Sequence, residues 1–120
     1  MADLRYMELN LMQIFDVLRA AGVARLAVCS GGRPYVVPVT YQLEADGSAA
    51  VLHLASPGSG RKLDMLRRNK NVCLEAELPG CAWLDTVLLE GEAAIGAAAE
   101  CGVFITVKAE TLSGRRYFLP

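Results

Sequence analysis

A chain of 120 residues is long enough to close one core and too short for two, so a single domain spanning 1–120 is expected. Twelve Lys and Arg against thirteen Asp and Glu leave a net charge of −1, which argues against a general nucleic-acid binder, normally a strongly basic protein. No apolar run reaches the ~18 residues that span a bilayer, and "MADLRYMELN" lacks the apolar core of a signal peptide, so no membrane partner and a cytoplasmic address are expected.

Apolar residues make up 53% of the chain but aromatics only 7%, so Ala, Val and Leu supply the excess. In so small a protein such an excess points to a subunit interface. The cysteines Cys29, Cys73, Cys81 and Cys101 show no C-x-x-C spacing and sit among apolar and small residues, as buried free thiols do.

From Met7 to Ala21 the apolar residues Leu9, Met12, Ile14, Phe15, Val17 and Leu18 recur at spacings of three and four, and Gly22 stops the run; this predicts an amphipathic first helix. "RLAVCS" reads as a short strand, "GGRP" as a turn and "YVVPVTYQLEA" as a second strand. Pro38 lies inside that strand and cannot donate to a ladder, so some backbone there is expected to be unpaired or distorted. "ADGS" is a hairpin signal with Asp46 and Gly47 able to take positive φ, and "AAVLHLAS" returns from it. "GRKLDMLRRN" places Leu63 and Leu66 on one face of a short helix. "NVCLEAEL", "AWLDTVLLEGEAAI" and "VFITVKAETL" read as three more strands, while the Ala-rich "GEAAIGAAAECG" fits strand, loop or helix. Six strands joined mostly by hairpins, with no βαβ alternation, predict a mainly β protein: a closed or split antiparallel barrel with an N-terminal helix and a short helix after the third strand.

Chemistry concentrates in "HLASPGSGRKLDMLRRNK", residues 53–70. It holds the only histidine and five of the twelve basic residues, and no further Lys or Arg follows until Lys108. The loop Ser56–Gly60 feeds a helix whose first turn carries Arg61 and Lys62. Free N–H groups, the positive end of the helix dipole and two cations suit an anion, phosphate above all, although an ordinary solvated helix start is the competing reading. The spacing is not that of a Walker loop, because Leu63 follows Lys62. Arg67, Arg68 and Lys70 complement the helix C-terminus and need no ligand. His53, between two leucines, points to the face opposite theirs and reads as a hydrogen-bonded wall residue. Trp83 and Tyr41 suit core packing or stacking on a planar ligand.

The succession G-x-P-Y-x-V-P-V, hairpin, strand through His53, loop-to-helix step with Arg61 and Lys62, and R-x-N-x-x-V-C in residues 32–77 resembles the FMN-binding split-barrel proteins related to pyridoxamine 5′-phosphate oxidase. It looks most like their nitroimidazole-resistance (Nim-like) branch. "WLDTVLLEG" continues the likeness, with Thr86 at the position of the family's serine, so that residues 8–91 are covered. The resemblance implies a homodimer with FMN between the subunits. It implies that Val37, Pro38, Val39 and Thr40 border the flavin ring, that His53, Leu54 and Ala55 run beside ring and ribityl chain, and that Arg61 and Lys62 hold the phosphate, with Thr86 or Ser56 donating a hydroxyl. It implies an FMN-dependent oxidoreductase that reduces a small organic acceptor, nitroimidazole-like in the nearest branch. His53 is then the one candidate for a catalytic side chain, a neutral hydrogen-bonding role suiting it better. A flavin- or haem-binding module or sensor without turnover, or a member that has lost its cofactor, are the alternatives. The chain departs from the family pattern in a short connection after Gly91 and in a longer loop, "PGSG", before Arg61.

Overall fold

The computed structural model describes residues 5–99 and 102–120, the side chains of 97–99 excepted. In chain order the elements are β1 (Arg5–Glu8), α1 (Leu11–Ala21), β2 (Val23–Ser30), β3 (Arg33–Asp46), β4 (Ala49–Ser56), α2 (Arg61–Arg68), β5 (Asn71–Pro79), β6 (Trp83–Ala99) and β7 (Gly102–Phe118). The strands pair antiparallel in the order β1-β7-β4-β3-β2-β5-β6, and β6 pairs back onto β7. Six strands therefore close into a ring, the expected barrel, and β1 is an additional strand laid on the edge of β7 beyond β4.

The first helix starts later than periodicity predicts, at Leu11. Asn10 caps it through a reciprocal box with Gln13, and Gly22 ends it in the left-handed conformation at φ 72°. The residues before the cap, Arg5–Glu8, are all exposed and are strand because they pair with Arg115–Phe118 of β7. Ile14, Phe15, Val17 and Leu18 face the barrel, and the Tyr41 hydroxyl donates to the Leu18 carbonyl at 2.6 Å, tying β3 to the helix. That bond sits in a desolvated place, and burial pushes the Tyr41 phenol above its ordinary range.

The turns joining β2 to β3 and β3 to β4 are each two residues long. Gly31 and Gly32, at φ 59° and 75°, join β2 to β3 in the doubly positive geometry that matches strand twist. Between β3 and β4 the turn residues are Gly47 and Ser48, with Asp46 paired to Ala49; Gly47 alone takes positive φ, which corrects the expectation for Asp46. The Ala-rich stretch is strand through Ala99, so β6 and β7 form one long hairpin, kinked by irregularities at Glu90/Gly91 and Ile95/Ala98.

β3 changes partners along its length. Arg33–Thr40 pairs with β2 and Tyr41–Asp46 with β4, so the edge of Arg33–Thr40 away from β2 has no strand partner among the described residues. Pro38 lies in this half, opposite Arg25, where a residue without an N–H is tolerated. Helix α2 packs against β2, burying Leu63, Met65 and Leu66, and its first residue, Arg61, lies over Tyr35 of β3. Of the cysteines, Cys29 and Cys73 are half-buried free thiols, whereas Cys81 is exposed in the turn before β6, contrary to expectation; Cys101 lies outside the described residues. Among the described residues no helix is long and apolar enough to cross a membrane.

Candidate functional site

The start of α2 gathers the strongest positive potential the sequence suggests. Its first backbone bond runs from Asp64 N–H to the Gly60 carbonyl at 3.1 Å, so the N–H groups of Arg61, Lys62 and Leu63 precede the helical ladder. Arg61 is exposed, its guanidinium 4.3 Å from the centroid of the Tyr35 ring. Lys62 is half-buried, and loss of hydration holds its ammonium below the ordinary range. Among the described residues neither cation has a carboxylate partner; Asp64 instead approaches Arg67 at 3.6 Å. Ser56, nearby in sequence, is buried and donates its hydroxyl to the Pro57 carbonyl at 3.1 Å. The chemistry of this set is that of an oxyanion receptor: backbone donors, one exposed cation, and one partly desolvated cation without a counter-charge among the described residues.

Strand alternation sorts the remaining expected residues between two faces. Val39 and Leu54 are buried in the barrel, so a ligand outside meets these two through their backbone only, while Val37 packs against the core and is half-buried. Pro38, Thr40, His53 and Ala55 point outward. On this outer face Gln42, His53 and Thr106 stand abreast on β3, β4 and β7. The next row has Ala55 opposite Phe104, which is 57% exposed, and Thr40, one residue past the end of the β3–β4 ladder, points outward on the β3 side. A small residue between an exposed aromatic and a threonine leaves a shallow apolar shelf, open to solvent, that a planar ring could cover.

Thr86 lies elsewhere. It sits on β6, where its hydroxyl donates to the Arg115 carbonyl at 3.3 Å, and it lines a groove of about 400 Å³ with Glu8, Leu88, Arg115 and Tyr117. A larger groove of about 780 Å³ contains none of the expected residues; Arg67, Lys70, Glu92, Lys108 and Glu110 supply its charges over a floor that includes Ala93, Ile95 and Ala109. One subunit thus brings together the α2 start and the β3–β4 face but not Thr86.

Three contributors escape a reading of the sequence. Glu44 accepts from His53 Nε2 at 2.7 Å, and counting the register from the Gly47–Ser48 turn would have placed it on the histidine's face. Tyr35 carries Arg61, a contact with no local signal. Phe104 reaches Ala55 only through the long-range pairing of β4 with β7.

Comparison with known proteins agrees with this architecture. The pyridoxamine 5′-phosphate oxidase family pattern matches residues 12–94. Among solved structures, an FAD-binding protein from Mesorhizobium loti is 24% identical with a TM-score of 0.80, over 92% of this chain and 97% of that one. A proposed 5-nitroimidazole antibiotic resistance protein from Bacteroides thetaiotaomicron is 18% identical with a TM-score of 0.78, over 97% and 90%. The FAD-binding protein from Mycobacterium smegmatis is 15% identical with a TM-score of 0.76, over 94% and 99%. No curated protein matches the chain.

Proposed function

We propose, from the premise that the chain belongs to the pyridoxamine 5′-phosphate oxidase family, that it is a flavoprotein that binds FMN and uses it to reduce a small organic acceptor. The observation that carries this reading is the α2 start, where Lys62 is partly desolvated, has no carboxylate partner among the described residues, and stands beside Arg61 and three N–H groups outside the helical ladder. A phosphate monoester supplies the missing charge. Two of the similar structures are FAD-binding proteins, which favours a flavin over other phosphorylated ligands.

When bound, the isoalloxazine supplies the electron transfer, and the protein contributes position and electrostatics. Arg61 and Lys62 hold the phosphate. The edge of Arg33–Thr40 that has no strand partner among the described residues would offer main-chain groups to the ring, and the shelf of Thr40, Ala55 and Phe104, with Pro38 on the same outward face of β3, would pack against it. His53 presents a polar edge next to that shelf. The open shelf and the place of Thr86 on another face support a site completed in a homodimer, in which Thr86 of the partner subunit would be the hydroxyl donor.

The test is an absorbance spectrum of purified protein, then calorimetric titration with FMN, FAD and riboflavin, with mass measured on the same sample. Paired flavin maxima or micromolar FMN binding by a dimer is expected, followed by NADH- or NADPH-driven reduction of an added nitroaromatic. A Soret band, or a protein that ignores all three flavins, overturns the cofactor. Flavin binding without turnover on any acceptor leaves a binding module and overturns the enzyme.

A further inference from the structure

The outer face of β3 and β4 holds one contact that the flavin reading does not require. His53 Nε2 and Glu44 Oε2 are 2.7 Å apart, both side chains substantially solvent-accessible. A pair this exposed stabilises the fold little. Its consequence is orientation. Glu44 lies two residues beyond Gln42, the direct partner of His53, so the carboxylate approaches diagonally, from the hairpin end of the strand pair. The shelf formed by Thr40, Ala55 and Phe104 lies on the opposite side of the histidine, away from the hairpin.

We propose that Glu44 is a positioning residue for His53: its carboxylate accepts the Nε2 proton, holds the neutral ring as the Nε2–H tautomer, and leaves the Nδ1 lone pair as the acceptor that a ligand on the shelf meets. The assignment follows from donor and acceptor arithmetic. An ionised carboxylate can only accept, so the nitrogen it touches carries the hydrogen, and in a neutral imidazole the other nitrogen is then an acceptor. Among the described residues Nδ1 has no hydrogen-bond partner. The ligand groups that satisfy it are N–H or O–H donors. If the flavin reading above holds, on which this half of the proposal rests, they are the N–H of the pyrimidine ring or a ribityl hydroxyl. A ring held this way selects ligands with a donor at that point and disfavours those presenting a carbonyl there.

The single histidine makes the test direct, since all imidazole signals belong to one residue. Long-range 1H–15N spectra of the protein without added ligand, at about pH 8.5 where an imidazole is neutral, report the tautomer. The expected result is one nitrogen with a protonated-type shift at Nε2 and one with a lone-pair shift at Nδ1, near their limiting values, and movement of the two towards each other in Glu44→Ala. Averaged shifts in the unaltered protein, an Nδ1–H tautomer, or shifts indifferent to Glu44→Ala overturn the positioning role, whether or not a flavin binds. For the ligand half, FMN titration of Glu44→Ala and His53→Ala should each weaken binding about fivefold, the scale of one hydrogen bond, with the double variant no worse than His53→Ala. FMN binding by the unaltered protein that neither substitution changes overturns the contact with FMN while leaving the tautomer result standing. Failure of the unaltered protein to bind FMN overturns the flavin reading and the contact together.

Discussion

Replacing Arg61 and Lys62 together by Ala isolates the phosphate from the rest of the ligand. A charge-assisted hydrogen bond contributes roughly 1.5–3 kcal/mol. Lys62 belongs in the middle of that range, about 2 kcal/mol, because burial has already removed part of its hydration and no carboxylate among the described residues competes for it. Arg61 is exposed and shares its guanidinium with the Tyr35 ring, so water screens it and about 1.5 kcal/mol is the fair figure. The sum of ~3.5 kcal/mol corresponds to roughly a 300-fold rise in the FMN dissociation constant. Riboflavin lacks the phosphate and should change by less than about twofold. The same assay carries a pH signature. Burial lowers the Lys62 ammonium pKa from 10.5, and a phosphate beside it raises the value again, so binding takes up a proton in the window between the two. FMN affinity relative to riboflavin should therefore fall as pH rises through that window, and Lys62→Ala should abolish the slope. Fluorescence titration of both ligands from neutral pH to about pH 10 is sufficient. An unchanged FMN constant in the double variant, or an equal loss for riboflavin, refutes the phosphate assignment.

Other consequences concern stability and reactivity. Tyr41→Phe removes a bond between β3 and α1 and leaves the Leu18 carbonyl without that donor, so urea unfolding should show a loss of about 1–2 kcal/mol with an unchanged slope. Gly91→Ala puts a Cβ against the Lys108 carbonyl, a backbone atom on the neighbouring strand that cannot step aside, and should cost more than about 2 kcal/mol in the same experiment or leave the protein insoluble. Burial, with Glu90 and Glu75 adding to it, pushes the Cys73 thiol up, so it stays protonated at pH values where ordinary thiols ionise. Timed iodoacetamide labelling near pH 8 with peptide mapping should modify exposed Cys81 well before Cys73, and the gap should narrow as pH rises above 9.0.

Elements whose signal is local were legible in the sequence. The strand Ala49–Ser56 alternates cleanly, and the helix Arg61–Arg68 follows a loop that cannot continue a strand; both occur where the pattern places them. The misses share a cause. Arg5–Glu8 has no buried residue to mark a face and becomes strand only because the edge of β7 at Arg115–Phe118 is free to receive it. β7 runs six residues past the apolar segment, through Ser113–Phe118, because β1 and β6 pair with it from both sides. Its polar residues there also found partners, as in the two hydrogen bonds from Arg116 to Asp85 at 2.7 and 3.0 Å. Long-range pairing decided these boundaries, and it leaves no periodic trace.

The candidate site divides along the same line. Arg61 and Lys62 were readable because a helix start concentrates its donors within four consecutive residues. The inward turn of Val39 and Leu54 also follows from alternation once His53 is set facing out, so naming them beside a ligand amounts to naming backbone. Glu44 required one more step, counting pairs across a two-residue turn, and was within reach of the sequence. Phe104 was not, since its place beside Ala55 depends on a strand nearly fifty residues downstream. Thr86 is a different case. Its motif is clear in the chain, yet the fold carries it to a groove shared with Arg115 and Tyr117, away from the α2 start. A motif that stays intact while its residue leaves the site has a physical explanation in a site shared between two copies. In the proposed homodimer one subunit would contribute the α2 start and the shelf and the other the covering wall, and exposed Phe104 is the surface that such a wall would bury.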